Sequence, residues 1–357
     1  MYSKKKIIRN LILVVGILLV LVLLLCSLGD ITKIYNIIVS NAQIVWFLIT
    51  FGVLISYCIF YQLSLFVLVK RRYRSINSLD LFCISGSEFF FNAITPFSSG
   101  GQPFQAYALK QKNVKLSDST SCLLLNFLAY QVVINVFSLI CLFIYYSQLK
   151  AQIENIIWLV IVGFSINFIV MLLIILIGTT KFMGNFLIKI MDLLCKIKFL
   201  KKFIEHKKES FSVYVEEMQT AFKEIAQSKL LWIVAVLFKA IATILFNTIP
   251  FFAFRCIGID LGIENIFYIF AITTFCLTVA VWVPTPGASG GAELAFTTFF
   301  SGLFVTDAQN TALSGMLIWR LFTYYLLIIY GLILYVIYER RNKNEDRPIY
   351  WSILSTN

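Results

Sequence analysis

Hydrophobic positions along the chain gather into long runs cut by short polar breaks. Six runs are about 20 residues or longer: Ile7 to Leu28, Ile44 to Val69, Ser119 to Tyr146, Ile156 to Gly178, Leu230 to Phe252 and Thr311 to Tyr338. At 1.5 Å per residue, that is the length an α-helix needs to cross a hydrocarbon core of about 30 Å. Leu79 to Ile94 is shorter, about 16 residues, and Ile266 to Val283 is followed by another short run, Leu294 to Leu303. Proline follows closely behind Ile94 and Val283. The pattern therefore predicts an all-α polytopic membrane protein with long helices and two broken ones.

The breaks share a sequence. Thr95-Pro96-Phe97-Ser98-Ser99-Gly100-Gly101 and Thr285-Pro286-Gly287-Ala288-Ser289-Gly290-Gly291 both read T-P-x-x-S-G-G, 190 positions apart. The same offset maps Ile44 to Val69 onto the run after Lys229, and Ser119 to Tyr146 onto the last run. The chain thus reads as one integral membrane domain, with repeat units of about 44–147 and 234–337. Paired broken helices in matching halves are a sequence pointer to a transport site. Irregular backbone at membrane depth must be buried in protein or line a wet cavity. The competing reading is a pair of ordinary Pro/Gly loops at the membrane surface.

Between the units, residues 179–229 form the one extended polar region, with ten Lys and six acidic residues. Phe182, Phe186, Ile190, Leu193, Ile197, Leu200 and Ile204 recur at helical spacing with Lys among them. This predicts a basic amphipathic helix on the cytoplasmic leaflet. Phe211, Val215, Met218, Phe222 and Ile225 form a second stripe. The region reads as a charged structural linker, with regulation as the alternative.

Charge then sets the topology. The 357 residues are 60% hydrophobic and 13% charged, with mean hydropathy +0.86, which excludes a soluble domain. The net charge of +12 does not indicate nucleic acid. All 30 Lys and Arg except Lys33, Lys150, Lys239, Arg255 and Arg320 fall in segments that can share one side of the membrane. That side is the cytoplasm, with both termini there. The first broken segment then opens from inside and the second from outside, an inverted-topology repeat with two re-entrant hairpins or short double crossings. Lys4, Lys5, Lys6 and Arg9 before Ile7 to Leu28 resemble a signal peptide, but that run is too long for a cleaved one and is expected to be a retained helix. The eight cysteines lack C-x-x-C spacing and the chain has a single histidine, His206. No metal site, disulfide framework or cofactor is expected.

The candidate chemistry lies at the breaks. Each Pro ends the incoming helix, and Ser99 and Ser289 suit the N-cap of the next one. Thr95, Pro96, Gly100, Gly101 and Gln102 in the first copy, and Thr285, Pro286, Gly290 and Gly291 in the second, would frame two helix N-termini able to hold an anion. The alternative is that the glycines serve only close helix packing. Glu88, Lys239, Glu293 and Arg320 are ionisable residues at membrane depth, where charges are paired or functional. Arg320 and Lys239 could hold an anionic headgroup. A structural Glu293–Arg320 pair is the other option. Gln105, Tyr107, Asn126, Tyr130 and Gln131 add polar groups nearby. No nucleophile–base set and no G-x-x-x-x-G-K-[ST] loop occurs, so no catalytic residues are assigned.

Residues 95–103, residues 284–293 and Trp319-Arg320-Leu321 resemble the membrane domain of lysylphosphatidylglycerol synthetase/flippase proteins, the multiple peptide resistance factors of bacteria. The resemblance spans nearly the whole chain. It implies a bacterial plasma-membrane protein that moves an anionic or aminoacylated phospholipid, or a glycolipid, between leaflets and contributes to cationic antimicrobial peptide resistance. In that family a separate soluble domain makes the lipid from aminoacyl-tRNA. No segment up to Asn357 has that domain's size, so the chain alone is expected to lack lysyltransferase activity. The alternatives are a phosphatidylglycerol lysyltransferase, alone or as the membrane subunit of a split enzyme, and a scaffold for a lipid-modifying partner. The implied partners are a membrane lipid and a separate aminoacyltransferase or glycosyltransferase, with no nucleic acid. An oligomer stays open.

Overall fold

The computed structural model describes residues 30–153, 157–195, 208–281 and 283–345. The expected first helix, Ile7 to Leu28, lies outside the described residues, as do Ile197, Leu200, Ile204 and His206. All regular structure within the described residues is helical apart from one isolated β-bridge. Six helical stretches there are long and apolar enough to cross a membrane: Ile44–Arg72, Leu116–Gln148, Trp158–Thr179, Lys229–Cys256, Ile263–Ala280 and Ala308–Lys343.

The described residues open with α1 (Ile31–Ser40), in the break between the first two apolar runs. The Asp30 carboxylate makes this helix possible by accepting the Thr32 and Lys33 N–H groups at its first turn. α2 (Ile44–Arg72) is apolar throughout and ends in Lys70, Arg71 and Arg72, which suit the negative end of the helix dipole. α3 (Ser78–Ala93) starts at the Asn77 cap and stops before Thr95-Pro96. After the first turn motif comes α4 (Gly101–Gln111), then the long α5 (Leu116–Ile153) and α6 (Ile157–Thr179). With 16 and 11 residues, α3 and α4 reach only about 24 Å and about 17 Å, each short of a bilayer core.

The linker divides into α7 (Lys181–Cys195) and α8 (Lys208–Gln227). α7 leaves Phe182, Phe186, Ile190 and Leu193 exposed. α8 buries Val215, Met218, Phe222 and Ile225, so this second stripe is part of the bundle core. α9 (Lys229–Cys256) carries Pro250 inside it, which removes the helical donor to Phe246. α10 (Ile266–Ala280) leads to the second motif, and α11 (Gly291–Ser301) follows it. The last run is more complex than the single helix expected. α12 (Ala308–Arg320) passes through a π-helical stretch, Leu321–Leu326, into α13 (Leu327–Glu345).

The 190-residue offset holds in the helices themselves. α4 and α11 have the same length and begin at Gly101 and Gly291. Packing exchanges elements between the units: α2 lies against α9, α3 against α13, and α10 against α5. The bridge joins Pro96 to Pro286, antiparallel, so each motif pairs with its own counterpart. Ion pairs tie several helix ends together. Asp80, 1% exposed, takes Lys112 at 3.1 Å and also Arg341, which joins α3, the end of α4 and α13. Asp118 takes Arg72 at 3.0 Å. Cys58, Cys83, Cys122, Cys141, Cys256 and Cys276 are buried and free.

Candidate functional site

Both motifs share the conformation of the turn tip and diverge at the capping glycine, where Gly100 has φ -82° and Gly290 φ 88°. Phe97 and Ser98 have positive φ, and so do their counterparts Gly287 and Ala288. Only the second copy places a glycine there, so Phe97 and Ser98 hold a conformation that costs an L-residue free energy. Functional sites gather such conformations when the surroundings enforce them. Here Ser98 N–H is held by Thr95 O at 3.2 Å and Ala288 N–H by Thr285 O at 3.0 Å.

Ser99 and Ser289 do not cap the following helices, as the sequence suggested. Their hydroxyls donate back to Pro96 O and Pro286 O, both at 2.9 Å, and tighten the turns. The capping positions are Gly100 and Gly290. The Gly100 N–H donates to Thr95 Oγ1 at 2.8 Å, and the Gly101 N–H to Asn92 Oδ1 at 2.8 Å. The Gly290 N–H donates to Glu293 Oε2 at 2.7 Å. These donors are taken by the protein itself. Three of these glycines serve close approach of backbone to neighbours: a Cβ on Gly100 would sit 2.6 Å from Thr95 Cγ2, one on Gly101 2.4 Å from Glu88 Cγ, and one on Gly291 2.2 Å from Val283 Cγ2, whereas at Gly290 the space is open and a φ of 88° calls for glycine. This is the packing reading, and Thr95, Gly100, Gly101, Gly290 and Gly291 do not reach the cavity described next. Ser99→Ala and Ser289→Ala are each expected to cost about 0.5–1.5 kcal/mol in thermal melts, one hydrogen bond apiece, rather than to unravel a helix start.

The two turn tips close one side of a cavity of about 280 Å³. Phe97 and Ser98 reach it from one turn, Gly287 and Ala288 from the other. Its remaining wall is largely aromatic, with Tyr57, Tyr61, Phe89, Tyr130, Phe246 and Tyr324, and its polar groups include Asn92, Asn247 and Arg320. Tyr57 packs 4.7 Å from Phe246 and Tyr61 5.0 Å from Phe89, ring centre to ring centre. This is the mixture of apolar wall and few polar groups that small-molecule sites use.

Arg320 is the cationic residue in that wall. Its neighbour Trp319 stacks on Phe296 at 4.8 Å, which fixes the last turn of α12. The π-helical stretch begins directly after it and places Thr323 and Tyr324 on the same cavity. Such π turns are frequent at functional sites. Arg320 Nε pairs with Glu293 Oε1 at 2.9 Å, and both side chains are nearly buried. Nη1 donates weakly to Gly287 O at 3.4 Å. Nη2 has no hydrogen-bond partner among the described residues. Nε, although 2.9 Å from Glu293 as an ion pair, makes no hydrogen bond among the described residues either, so the guanidinium in the wall keeps donors that no hydrogen bond uses.

Glu88 and Lys239 form a second buried set behind the cavity. Glu88 accepts from Tyr61 at 3.2 Å, Asn92 at 3.3 Å and Gln105 at 3.1 Å. Lys239 Nζ sits 3.2 Å from the centre of the Tyr61 ring and 3.5 Å from Tyr61 O. Tyr61 thus joins a cation on its face to a carboxylate at its hydroxyl. Neither Glu88 nor Lys239 lines the cavity, but both hold residues that do. Pro96 and Pro286 meet in the bridge behind the tips, Thr285 bonds Ser289 O at 2.7 Å, and Gln102 is half-buried away from the cavity. Gln105, Asn126 and Gln131 are buried, whereas Tyr107 is exposed.

Sequence reasoning missed Asn92, Tyr57, Tyr61 and Tyr324. Asn92 shows as an isolated polar residue in an apolar run, a weak signal. Tyr324 bonds Ala93 O at 3.1 Å across 231 positions, a contact no spacing reveals.

Fold and cavity define a polytopic helical membrane protein in which two broken helices meet at an internal, aromatic-walled site. The chain belongs to the family described as the lysylphosphatidylglycerol synthase TM region, which matches residues 11–331. No curated protein and no solved structure matches it.

Proposed function

We propose that the chain is a lipid translocase that passes the headgroup of an anionic or aminoacylated phospholipid, or of a glycolipid, through the cavity between the two turns. The observation that carries this reading is the meeting of both T-P-x-x-S-G-G tips at one cavity that also contains Arg320. A headgroup needs polar contacts at membrane depth, and Arg320 Nη2 and Asn92 supply them. The aromatic wall accepts the apolar part of the same molecule. The two units have inverted topology, so the tips reach the cavity from opposite leaflets, and both chain ends face the cytoplasm of a bacterial plasma membrane. A separate aminoacyltransferase or glycosyltransferase supplies the lipid.

Two measurements test this. Purified protein in proteoliposomes is expected to exchange labelled phosphatidylglycerol or its lysyl ester between leaflets, and diacylglycerol no faster than protein-free vesicles. Exchange of no member of a headgroup panel would overturn the reading. Cysteines at the exposed positions Lys110 and Lys343 are expected to react from one side of the vesicle, and one at Gln309 from the other. Lys112 is unsuitable as a reporter because it is committed to Asp80. Reaction of all three from one side would end the inverted arrangement.

A further inference from the structure

We infer that the Glu293 carboxylate is an internal stand-in for a phosphodiester: it occupies the anion site of the empty protein and yields Arg320 to the ligand. The inference rests on the reading that the cavity takes an anionic headgroup. One oxygen of Glu293 accepts the Gly290 N–H at 2.7 Å at the start of α11, and the other faces Arg320 Nε at 2.9 Å. A helix N-terminus with an arginine beside it is the arrangement that binds phosphate elsewhere. In this protein a carboxylate from the first turn of that same helix already fills it.

Arg320 lines the cavity and Glu293 does not. Arg320 therefore touches both the stand-in anion and the space a ligand enters. Its Nη2 is buried and without a hydrogen-bond partner among the described residues. An incoming phosphodiester oxygen has a donor waiting, and it competes with Glu293 for the same positive charge. Both halves of an Arg–carboxylate pair cannot stay fully engaged while Arg320 binds a second anion bidentately. Glu293 thus sets how tightly an anion is held. Strong binding would trap the lipid, and a competing carboxylate returns the arginine when the lipid leaves.

Glu293→Gln separates this role from capping. The amide oxygen can still accept the Gly290 N–H, while the negative charge is gone. The full chain is purified in a maltoside detergent, which contains no phosphate. Short-chain phosphatidylglycerol is titrated, with inorganic phosphate and short-chain diacylglycerol as separate arms, and Kd and the ligand-induced rise in Tm are read together. Glu293→Gln is expected to bind phosphatidylglycerol about ten-fold more tightly than wild type, within the range usual for coupled events. Its Tm is expected to rise more with lipid than wild type does, even from a lower starting value, because ligand binding stabilises by mass action. The gain is expected to vanish in Glu293→Gln/Arg320→Gln. Tightening with inorganic phosphate as well assigns the site to the phosphate group alone. Tightening with phosphatidylglycerol only assigns it to the intact lipid. Either result supports the stand-in.

Wild-type binding with no tightening in Glu293→Gln overturns the inference and leaves the proposed function standing. Tightening that persists without Arg320 also overturns it. So does equal tightening for diacylglycerol, or a Glu293→Gln protein that lipid cannot keep folded. Binding by neither wild type nor variant would remove the headgroup reading itself.

Discussion

Arg320→Gln is expected to lose about 3–5 kcal/mol of folded stability, because it leaves the Glu293 carboxylate buried beside a neutral side chain. Glu293 is 3% exposed and its cation is 2.9 Å away, so no water replaces the lost charge. The Gly290 N–H remains on the other oxygen and keeps part of the carboxylate's hydrogen bonding. Glu293→Gln/Arg320→Gln is expected to recover most of the loss, since two neutral amides replace two opposed charges. Arg320→Lys keeps the charge but not the planar fork that spans Glu293 and Gly287 O, and is expected to fall between the two. Thermal melts of the four proteins in one detergent check the order. A single Arg320→Gln variant as stable as wild type would show that the pair contributes nothing.

Gly331→Val is expected to cost at least about 3 kcal/mol, the upper end of the usual range for overpacking. A Cβ there would lie 2.5 Å from the backbone nitrogen of Phe90 and 3.2 Å from Gly86 O. Gly86 is the counterpart on α3, where a Cβ would meet Leu334 Cδ1 at 2.2 Å. In hydrocarbon, helices associate through such close packing rather than through hydrophobic driving force. Backbone cannot move aside as a flexible side chain can, so α3 and α13 must separate. That separation reaches the cavity, because α3 carries Asn92 and Ala93 while Tyr324, preceding α13, bonds Ala93 O at 3.1 Å. Gly52→Val provides the control, since nothing lies within 4 Å of a Cβ at that site. It is expected to leave Tm within a few degrees, and equal losses for both variants would remove the packing argument.

Much of this architecture can be read in the chain. The long apolar runs become α2, α5, α6 and α9, and the offset between the two motifs recurs in the starts of α4 and α11. The pairing of Glu293 with Arg320 was one of two open options. What stayed hidden depends on neighbours distant in sequence. Ser99 looks like an N-cap, but its hydroxyl donates to Pro96 O and the capping position falls to Gly100. Gly101 looks like a ligand contact until Glu88 and Asn92 fill the space above it. Nothing in the sequence marks the partners of Asp80 and Asp118, each buried against an arginine or lysine from another helix. The π-helical stretch after Arg320, with Phe322, Thr323 and Tyr324 buried in it, leaves no mark in an apolar run. α1 shows the opposite case: Asp30, two and three residues before Thr32 and Lys33, is a cap signal legible in the chain.

The most direct test of the site is lipid exchange by the Glu293→Gln/Arg320→Gln protein in proteoliposomes, run beside wild type at matched reconstitution. The double variant removes the buried charge problem, so its folded state is preserved and a change in rate reports the site. It is expected to melt near wild type and to exchange labelled phosphatidylglycerol no faster than protein-free vesicles, because the cavity between the two turns has lost its cation. A well-folded double variant that moves the lipid at the wild-type rate would contradict the assignment of this cavity as the path of the headgroup.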